Sequence, residues 1–409
     1  GFLALTLMRF GIGPDLGLAL AKGIGISLLS VFVLLPALII ICYKLIDKTC
    51  HRPFVPSFRT FGKFVRKAMI PLVCLFLLLI APSFLASNAN SFYYGASHIF
   101  GEQTKLGADT ADIEAVFGKK DTYVLLLPNG SAATEKELSD ELKRLPEVMD
   151  IISYVDTVGM EIPQEFLDND ILTKLISENY SRMVISVATD YEGEEAFALI
   201  DKIRDTTEKY YPDSFYLAGQ GISAHDLMNT ITSDMLKVNL IAISAVFIVL
   251  LIAMRSISLP VILVLSIETA IWINLSIPYF SDTKIFYVAY LIISSVQLGA
   301  TVDYAILFTE RYKEFRQTMN KRQSIIQTVS TVSASILTSG SVLTATGFIL
   351  GYISSHGVLS QLGYFLGRGT LCSLAIVFLV LPGLLYIFDG LIRHTTLGAK
   401  FYSHSKDLA

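Results

Sequence analysis

An acidic side chain, Asp303, lies in the middle of an apolar stretch of this chain and is followed directly by Tyr304. The chain is almost wholly apolar from Ile285 to Ser295, and the next charged residue after Asp303 is Glu310. A carboxylate at bilayer depth costs at least ~2.5–3.5 kcal/mol on insertion scales, and such residues usually face a bundle interior and mark a path for ions or protons. We therefore expect Asp303 to face the interior of a helix bundle and to carry protons.

Other polar residues in the apolar stretches are candidates to support this chemistry. Glu268 lies in the middle of another apolar stretch, and it either takes part in coupling or substrate passage or makes a structural hydrogen bond. Thr331, Ser335 and Thr338 recur at helical spacing. Their hydroxyls either line a wet path to Asp303 or serve plain helix packing.

Two further polar residues precede Asp303 on the same predicted helix. Thr301 is small enough to let a neighbouring helix approach closely, as small residues do in membrane bundles, and we count it among the candidates that support the Asp303 site. Gln297, six residues before Asp303, is a candidate for a structural hydrogen bond.

The sequence carries no pattern typical of an enzyme. It contains no hydrolase triad, no Walker loop and no Cys/His set with metal-ligand spacing. We therefore expect no enzymatic activity, no cofactor and no nucleic-acid partner, with protons as the coupling ion. Glu192, Glu194 and Glu195 form an acidic group in a long polar region. We interpret this group as a solvated face rather than a metal site, because no His or Cys accompanies it.

The composition places these residues in a membrane protein. Hydrophobic residues make up 53% of the 409 residues, and the mean hydropathy of +0.56 is too high for a soluble globular protein. The predicted fold class is a polytopic α-helical membrane bundle with one polar domain. The stretches long enough to cross a bilayer, at about 20 apolar residues each, are Leu16–Cys42, Met69–Ser87, Val238–Met254, Leu259–Phe280, Ile285–Thr309, Ser330–Tyr352 and Val358–Ile387.

Basic residues set the predicted orientation in the membrane. They fill the connector after the first span, follow the Asp303 helix and follow the last span, as Arg52, Arg311 and Lys400 illustrate. Alternating crossings place all three groups on one side, which should be the cytoplasmic side of a bacterial plasma membrane. The predicted domains are the last helices of a first bundle (1–43), a basic cytoplasmic linker (44–68), the first helix of a second bundle (69–90), an extracytoplasmic domain (91–233), the remaining helices of the second bundle (234–390) and a cytoplasmic tail (391–409).

The polar region 91–233 shows an alternation of strand and helix patterns. Helical spacing of apolar residues indicates helices at Thr134–Arg144 and Glu192–Tyr210. Strands are indicated by short β-prone apolar runs at Thr122–Leu127, Met149–Val155, Met183–Thr189 and Phe215–Ala218. The resulting order of elements matches a split βαβ unit, so we predict an α+β, ferredoxin-like domain.

The opening of the chain is repeated near its end. Leu16–Gly23 resembles Leu362–Gly369, and the match continues without a gap to Leu35-Pro36 and Leu381-Pro382, at a constant offset of 346 residues. Internal repeats with a site at their interface are a signature of secondary transporters. The sequence therefore predicts that the chain opens with the end of one helical bundle and that residues 70–390 are a whole second copy of it.

A basic residue occurs at the same place in both copies of the repeat. Lys22 and Arg368 match each other, and each is flanked by glycine. Each is either a fixed counter-ion or an interfacial anchor with a long side chain, and we favour the anchor.

This combined pattern resembles one half of a resistance–nodulation–division (RND) transporter, and the phrase from Gly299 to Ala305 followed by Glu310–Glu314 resembles its MMPL branch. The resemblance covers essentially the whole chain, as a C-terminal half together with the last helices of an N-terminal half. It implies that Asp303 and Tyr304 form a proton relay, which in the family pairs with a second Asp-Tyr motif. It also implies that the polar domain is porter-like. The implied partners are the bilayer, a hydrophobic or lipid-like substrate and the missing N-terminal half of the same protein, and the resemblance does not decide whether the protein forms an oligomer.

The predicted function is therefore export of lipids or of hydrophobic and amphiphilic compounds, driven by the proton-motive force. Two alternatives share the architecture: a SecDF-like auxiliary of protein export, and a non-transporting, sterol-sensing receptor of the Patched type. The Asp303-Tyr304 phrase disfavours both, because they prefer other residues at the relay. The polar domain also lacks the cysteines that are usual in Patched-type proteins.

Overall fold

The computed structural model describes residues 2–49, 58–95, 99–101, 104–159, 169–398 and 401–402. Parts of the predicted linker and tail, among them Arg52 and Lys400, lie outside these described residues. The chain forms two compact units. The helical unit comprises Gly1–Phe92, Ser233–Ser354 and Val358–Ala409, and the α/β unit comprises Tyr93–Thr232 and Ser355–Gly357.

The helices and strands are numbered here in chain order. The helices are α1 (Ile12–Leu29), α2 (Leu35–Lys48), α3 (Arg59–Asn88), α4 (Lys105–Phe117), α5 (Ala132–Leu142), α6 (Tyr154–Thr157), α7 (Asn169–Leu175), α8 (Glu194–Tyr210), α9 (Gln220–Met254), α10 (Ser258–Phe280), α11 (Tyr287–Arg316), α12 (Lys321–Ile353), α13 (Gly357–Ala375), α14 (Leu381–Ile387) and α15 (Asp389–Thr395). The strands are β1 (Phe92–Tyr93), β2 (Asp121–Pro128), β3 (Val148–Ile152), β4 (Tyr180–Val187), β5 (Tyr216–Gly219) and β6 (Ile285–Phe286).

Seven helices within the described residues are long and apolar enough to cross a membrane. They are α1 continued by α2, then α3, α9, α10, α11 and α12, and finally α13 continued by α14. Each predicted span corresponds to one of them, although the ends differ. Helix α11 continues past the predicted end at Thr309 to Arg316, because the charged residues that follow are good helix formers and need not lie in the bilayer.

The internal repeat is also a repeat of backbone geometry. Helices α1 and α2 are joined by a π-helical turn at Ser30–Leu34, and α13 and α14 are joined by a π-helical turn at Ile376–Val380. Both turns are followed by a Leu-Pro pair. Proline has no N–H and its ring clashes with the carbonyl four residues earlier, so a helix can accommodate it by widening locally into a π turn. The same proline thus produces the same irregularity in both copies.

The core of the helical unit lies where α3, α10, α11 and α12 pack together. Its buried residues include Val65 and Val73 of α3, Leu263 of α10, and Phe308 of α11. Helices α12 and α13 approach through glycines, since a Cβ added at Gly347 would lie 2.5 Å from the Gly367 nitrogen. Close approach through small residues is how helices associate in a bilayer, where lipid provides no hydrophobic driving force between them.

The α/β unit is built on a four-stranded sheet with the order β3-β4-β2-β5, in which each strand is antiparallel to its neighbours. Alternate residues of β2 and β4 point into the core, for example Leu125 and Ile185, as the alternation in the sequence predicts. Apolar residues of α5 and α8, among them Leu138 and Leu199, complete this core. The strands and the two long helices occur in the predicted order. Helix α4 is an addition that the sequence did not predict, because no residue of it is buried and it therefore has no core-facing stripe.

Candidate functional site

Asp303 and Tyr304 lie near the middle of α11 and point in different directions. The Tyr304 side chain is 7% exposed, and its hydroxyl lies 3.4 Å from the Ser339 Oγ on α12. The Asp303 side chain is exposed on the surface of the helical unit. With about 3.6 residues per turn, neighbouring residues of an α-helix are rotated by about 100°, so the pair cannot face one side together.

The expectation that Asp303 faces a bundle interior is not met by the described helices. Tyr304, Ala305 and Phe308 occupy the buried face of this part of α11, which leaves Asp303 and Leu307 on the exposed face. Among the described residues, Asp303 has no hydrogen bond or ion pair. Its carboxylate can therefore gain or lose a proton without breaking a contact in this part of the chain.

A groove of about 780 Å³ borders Tyr304 between α11 and α12. It contains Ser335 and Thr338, which the sequence placed on one stripe, and the groove as a whole is lined by Ala300, Tyr304, Ala334, Ser335, Thr338, Ser339, Val342, Leu343 and Thr346. The Thr338 hydroxyl donates a hydrogen bond to the Ala334 carbonyl at 2.8 Å. Since each hydroxyl can both donate and accept, this surface can hold water beside the Tyr304 ring.

Thr301 lies apart from this groove. It is 1% exposed, and its hydroxyl donates to the Gln297 carbonyl of the preceding turn at 2.6 Å. It faces the packed side of α11, whereas Asp303 faces the exposed side. The structure therefore does not bring Thr301 and Asp303 together.

A buried hydrogen-bond network ties α11 to α10 and α13. The Asn274 Nδ2 donates to the Gln297 Oε1 at 3.0 Å and to the Phe365 carbonyl at 2.9 Å. The Gln297 Nε2 donates to the Gly369 carbonyl at 3.2 Å. A Cβ added at Gly369 would lie 2.3 Å from the Gln297 Oε1, so only glycine leaves room for the amides. Gln297 makes the structural hydrogen bonds that the sequence suggested, and Asn274 is a partner that sequence reasoning missed.

Glu268 lies on α10 and is half-buried. Among the described residues it has no hydrogen bond or ion pair, either with Asp303 and Tyr304 or with any other group. The structure therefore gives no support to the structural hydrogen bond that was the alternative interpretation of this residue.

Lys22 and Arg368 occupy matching places in the repeat but different environments. Lys22 is exposed on α1. Arg368 is half-buried on α13, its guanidinium lies 5.1 Å from the centre of the Phe365 ring, and its Nε is buried without a hydrogen-bond partner. The two residues do not therefore share one environment.

A buried ion pair at the far end of α11 was missed by sequence reasoning. Arg316 donates to Asp389 on α15 through Nε at 2.8 Å and Nη2 at 3.1 Å, and the Tyr312 hydroxyl donates to the same carboxylate at 2.7 Å. The Phe401 ring covers the Arg316 guanidinium at 5.0 Å. The short helix α15 is thus fixed to the end of the helix that carries Asp303.

The interpretation of the acidic group in the α/β unit as a solvated face is wrong for Glu192. This residue is 5% exposed, and its carboxylate accepts hydrogen bonds from the backbone N–H groups of Tyr94 at 2.6 Å and Gly95 at 3.0 Å. Hydrogen bonds from two backbone N–H groups compensate the burial of this carboxylate. Glu194 and Glu195 lie in the first turn of α8, where negative charge is favourable.

Asp156 is a second structural carboxylate of the α/β unit. Burial alone would raise its pKa, but hydrogen bonds from Lys143 at 2.6 Å, Ser139 at 2.5 Å and Lys136 at 2.9 Å lower the pKa of Asp156 to about 2. The described residues contain no group of three or more His, Cys, Asp or Glu side chains that could hold a metal ion. The hydrogen bonds to Glu192 and Asp156 make these two carboxylates part of the framework of the unit.

The chain combines three features: long apolar helices, an α/β unit inserted between them in the chain, and a carboxylate in the middle of one apolar helix. Together they define a multi-pass membrane protein of the transporter class. The chain belongs to the MMPL family, whose model matches residues 99–396. This match confirms the resemblance seen in the sequence, since MMPL proteins are membrane transporters of the RND type. No individual curated protein matches the chain.

Proposed function

We propose that this protein exports lipids or other hydrophobic and amphiphilic compounds across the plasma membrane and is driven by the proton-motive force. Asp303 and Tyr304 are the proposed proton relay, with protons as the coupling ion and no other cofactor. One observation carries the proposal. Asp303, in the middle of α11, has no hydrogen bond or ion pair among the described residues, and the next residue, Tyr304, borders a groove lined by hydroxyls. Membership of the MMPL family supports transport, and this carboxylate supports proton coupling.

The energies of the two protonation states of Asp303 differ enough to drive a change of conformation. A charged carboxylate at bilayer depth costs at least ~2.5–3.5 kcal/mol on insertion scales, and protonation removes most of that cost. Moving one charge through the membrane potential supplies about 2.3 kcal/mol per 100 mV. Because these two energies are similar, one proton per cycle is enough to favour apolar surroundings for α11 in one state and polar surroundings in the other.

The groove beside Tyr304 is the proposed route by which protons reach or leave Asp303. Ser335 and Thr338 support this role, since hydroxyls and the water they hold can pass protons along hydrogen bonds. We do not extend the relay to Thr301, because its hydroxyl is bound to the Gln297 carbonyl. Glu268 is a proposed contributor to coupling or substrate passage, since it is an ionisable residue on a membrane helix with no hydrogen bond or ion pair among the described residues.

The α/β unit is the proposed extracytoplasmic porter domain. The predominance of basic residues in the segments around α3 and after α11 supports a cytoplasmic location for those segments, and hence an extracytoplasmic location for the polar region. The antiparallel order β3-β4-β2-β5 supports a ferredoxin-like fold, in which two split βαβ units interleave. Movement of this domain would follow changes in the helices that lead into it.

The test is proton-driven transport by the full-length protein with Asp303→Asn. Asparagine keeps the size of the side chain but cannot release a proton, so we expect efflux of a fluorescent lipid or lipophilic dye, and the coupled proton uptake, to fall to the background level in proteoliposomes. Glu310→Gln is the matched control, because it neutralises an exposed carboxylate about 10 Å further along the same helix. If Asp303→Asn retained proton-driven efflux of every cargo tested, the relay would have to be abandoned.

A further inference from the structure

Arg368 is a permanent positive charge in a membrane span with no negative partner in the described part of the chain. It has no hydrogen bond or ion pair there, and its Nε is buried and unpartnered. Arginine stays protonated in proteins, and a charged side chain within a membrane span is costly unless it is paired. The cation–π contact with Phe365 offsets only part of that cost.

The turn of α13 that carries Arg368 is held in place on both sides of it. Asn274 binds the Phe365 carbonyl, three residues before Arg368, and Gln297 binds the Gly369 carbonyl directly after it. Both amides are buried and come from other helices. Because the backbone of this turn is fixed and the guanidinium lies over an aromatic ring, the position of the charge is organised in advance.

The charge lies toward the end of the span that begins at Gly357. Arg368 is about 16 Å along the axis from that residue, in a span of 31 residues. Side chains of an α-helix lean toward its N-terminus, and the contact with Phe365, one turn earlier, shows that Arg368 does so. Its neighbours on this side of the helix, Tyr364 and Leu371, are 40% and 47% exposed, so the guanidinium is next to a surface that lipid chains can reach.

We propose that Arg368 binds the phosphate of an anionic, phospholipid-like amphiphile in the leaflet that contains the Gly357 end of α13. A guanidinium pairs with phosphate through two parallel N–H···O bonds, and the low-polarity surroundings strengthen the pairing. The exposed side chains of Tyr364 and Leu371 beside Arg368 accommodate the upper part of an acyl chain. The proposal rests on the transport function above and specifies the cargo as an amphiphile with a phosphate headgroup.

The experiment is lipid binding to the full-length protein in a neutral detergent. Thermal unfolding is followed while dioleoyl phosphatidylglycerol or dioleoyl phosphatidylcholine is added, since a ligand of the folded state raises the midpoint with its concentration. We expect the wild type to bind the anionic lipid at least tenfold more tightly than the zwitterionic one. Arg368→Gln should remove this preference, and Arg368→Lys should keep part of it, because lysine retains the charge but not the bidentate geometry.

Lys22→Gln is the matched control, because it removes a charge at the same place in the first copy of the repeat, where the side chain is exposed. It should bind both lipids as the wild type does. Equal binding of phosphatidylglycerol by wild type and Arg368→Gln would overturn the proposal, and so would displacement of the lipid by the same concentration of inorganic phosphate. Asp303→Asn should keep the lipid preference while it loses transport, so a failure of the relay and a failure of this site give different results.

Discussion

Because Asp389 pairs with the buried Arg316, the stability of α15 should depend on this single carboxylate. Both residues are nearly inaccessible, at 5% and 7% exposed, and Asp389 accepts three of the hydrogen bonds in the cluster. In Asp389→Ala, Arg316 keeps its hydrogen bonds to the carbonyls of Met319 and Tyr402 and its contact with the Phe401 ring, but it has no negative partner among the described residues. Breaking a buried pair by removing one partner typically costs about 3–5 kcal/mol, because the other charge is left uncompensated. We expect that loss to appear as local opening of α15.

Hydrogen exchange followed by mass spectrometry measures this opening in the intact membrane protein. A local cost of about 3–5 kcal/mol corresponds to an increase in exchange of roughly 10² to several 10³-fold, at about 1.4 kcal/mol per factor of ten. The increase should be confined to peptides that cover Asp389–Thr395 and the end of α11. Peptides from the α/β unit serve as the internal reference.

Two further variants separate the effect of an unpaired charge from that of a lost contact. Glu314→Ala breaks an exposed pair with Arg311 on the same helix, so it should cost less than about 1 kcal/mol. The double variant Arg316→Met/Asp389→Leu replaces the pair by apolar groups and should recover most of the protection. If the double variant exchanged as fast as Asp389→Ala, an unpaired arginine would not be the cause and the reasoning would be refuted.

Two predictions concern packing and acid stability. Gly369→Ala should lower the thermal midpoint and the yield of folded protein, because its Cβ would lie 2.3 Å from the Gln297 Oε1, whereas Gly23→Ala, with nothing within 4 Å, should have neither effect. Asp156→Asn should destabilise the protein by about 2 kcal/mol at neutral pH, from a pKa near 2 in the folded state against about 3.9 when unfolded. This stabilisation is present above the unfolded pKa and is lost as the pH falls through the folded pKa. The thermal midpoints of wild type and variant should therefore converge between about pH 4 and pH 2. A difference in midpoint that stayed constant over this range would contradict the prediction.

The sequence was sufficient to predict features that depend on local periodicity. The spans follow from apolar length, and the strands of the α/β unit follow from alternation such as that around Leu125 and Ile185. The repeat was visible from its constant offset, and its Leu-Pro pair even marks where the π-helical turn occurs. All of these signals involve residues that are close in the chain or are related by a fixed shift.

The features that the sequence did not predict depend on which distant residues meet. Arg316 and Asp389 are 73 residues apart, and Glu192 binds N–H groups almost 100 residues before it. Glu192 looked like one more surface acid because Glu194 and Glu195, which closely follow it, are exposed in the first turn of α8. The described helices leave Asp303 on an exposed face, which the sequence did not indicate. A lone carboxylate in an apolar stretch shows that a special environment is needed, but the neighbouring helices decide which side of the helix packs.

The arrangement of contacts along α11 restricts how a proton on Asp303 can act. On one side of Asp303, Gln297 fixes the helix to α10 and α13 through buried hydrogen bonds. On the other side, Arg316 fixes it to α15 through a buried ion pair. A helix held at two places about 28 Å apart cannot easily slide or rotate as a whole when one charge between them changes. A protonation-dependent change would therefore occur on the exposed face, where Asp303 and the groove beside Tyr304 lie. Any helix, lipid or substrate that contacts this face would respond first.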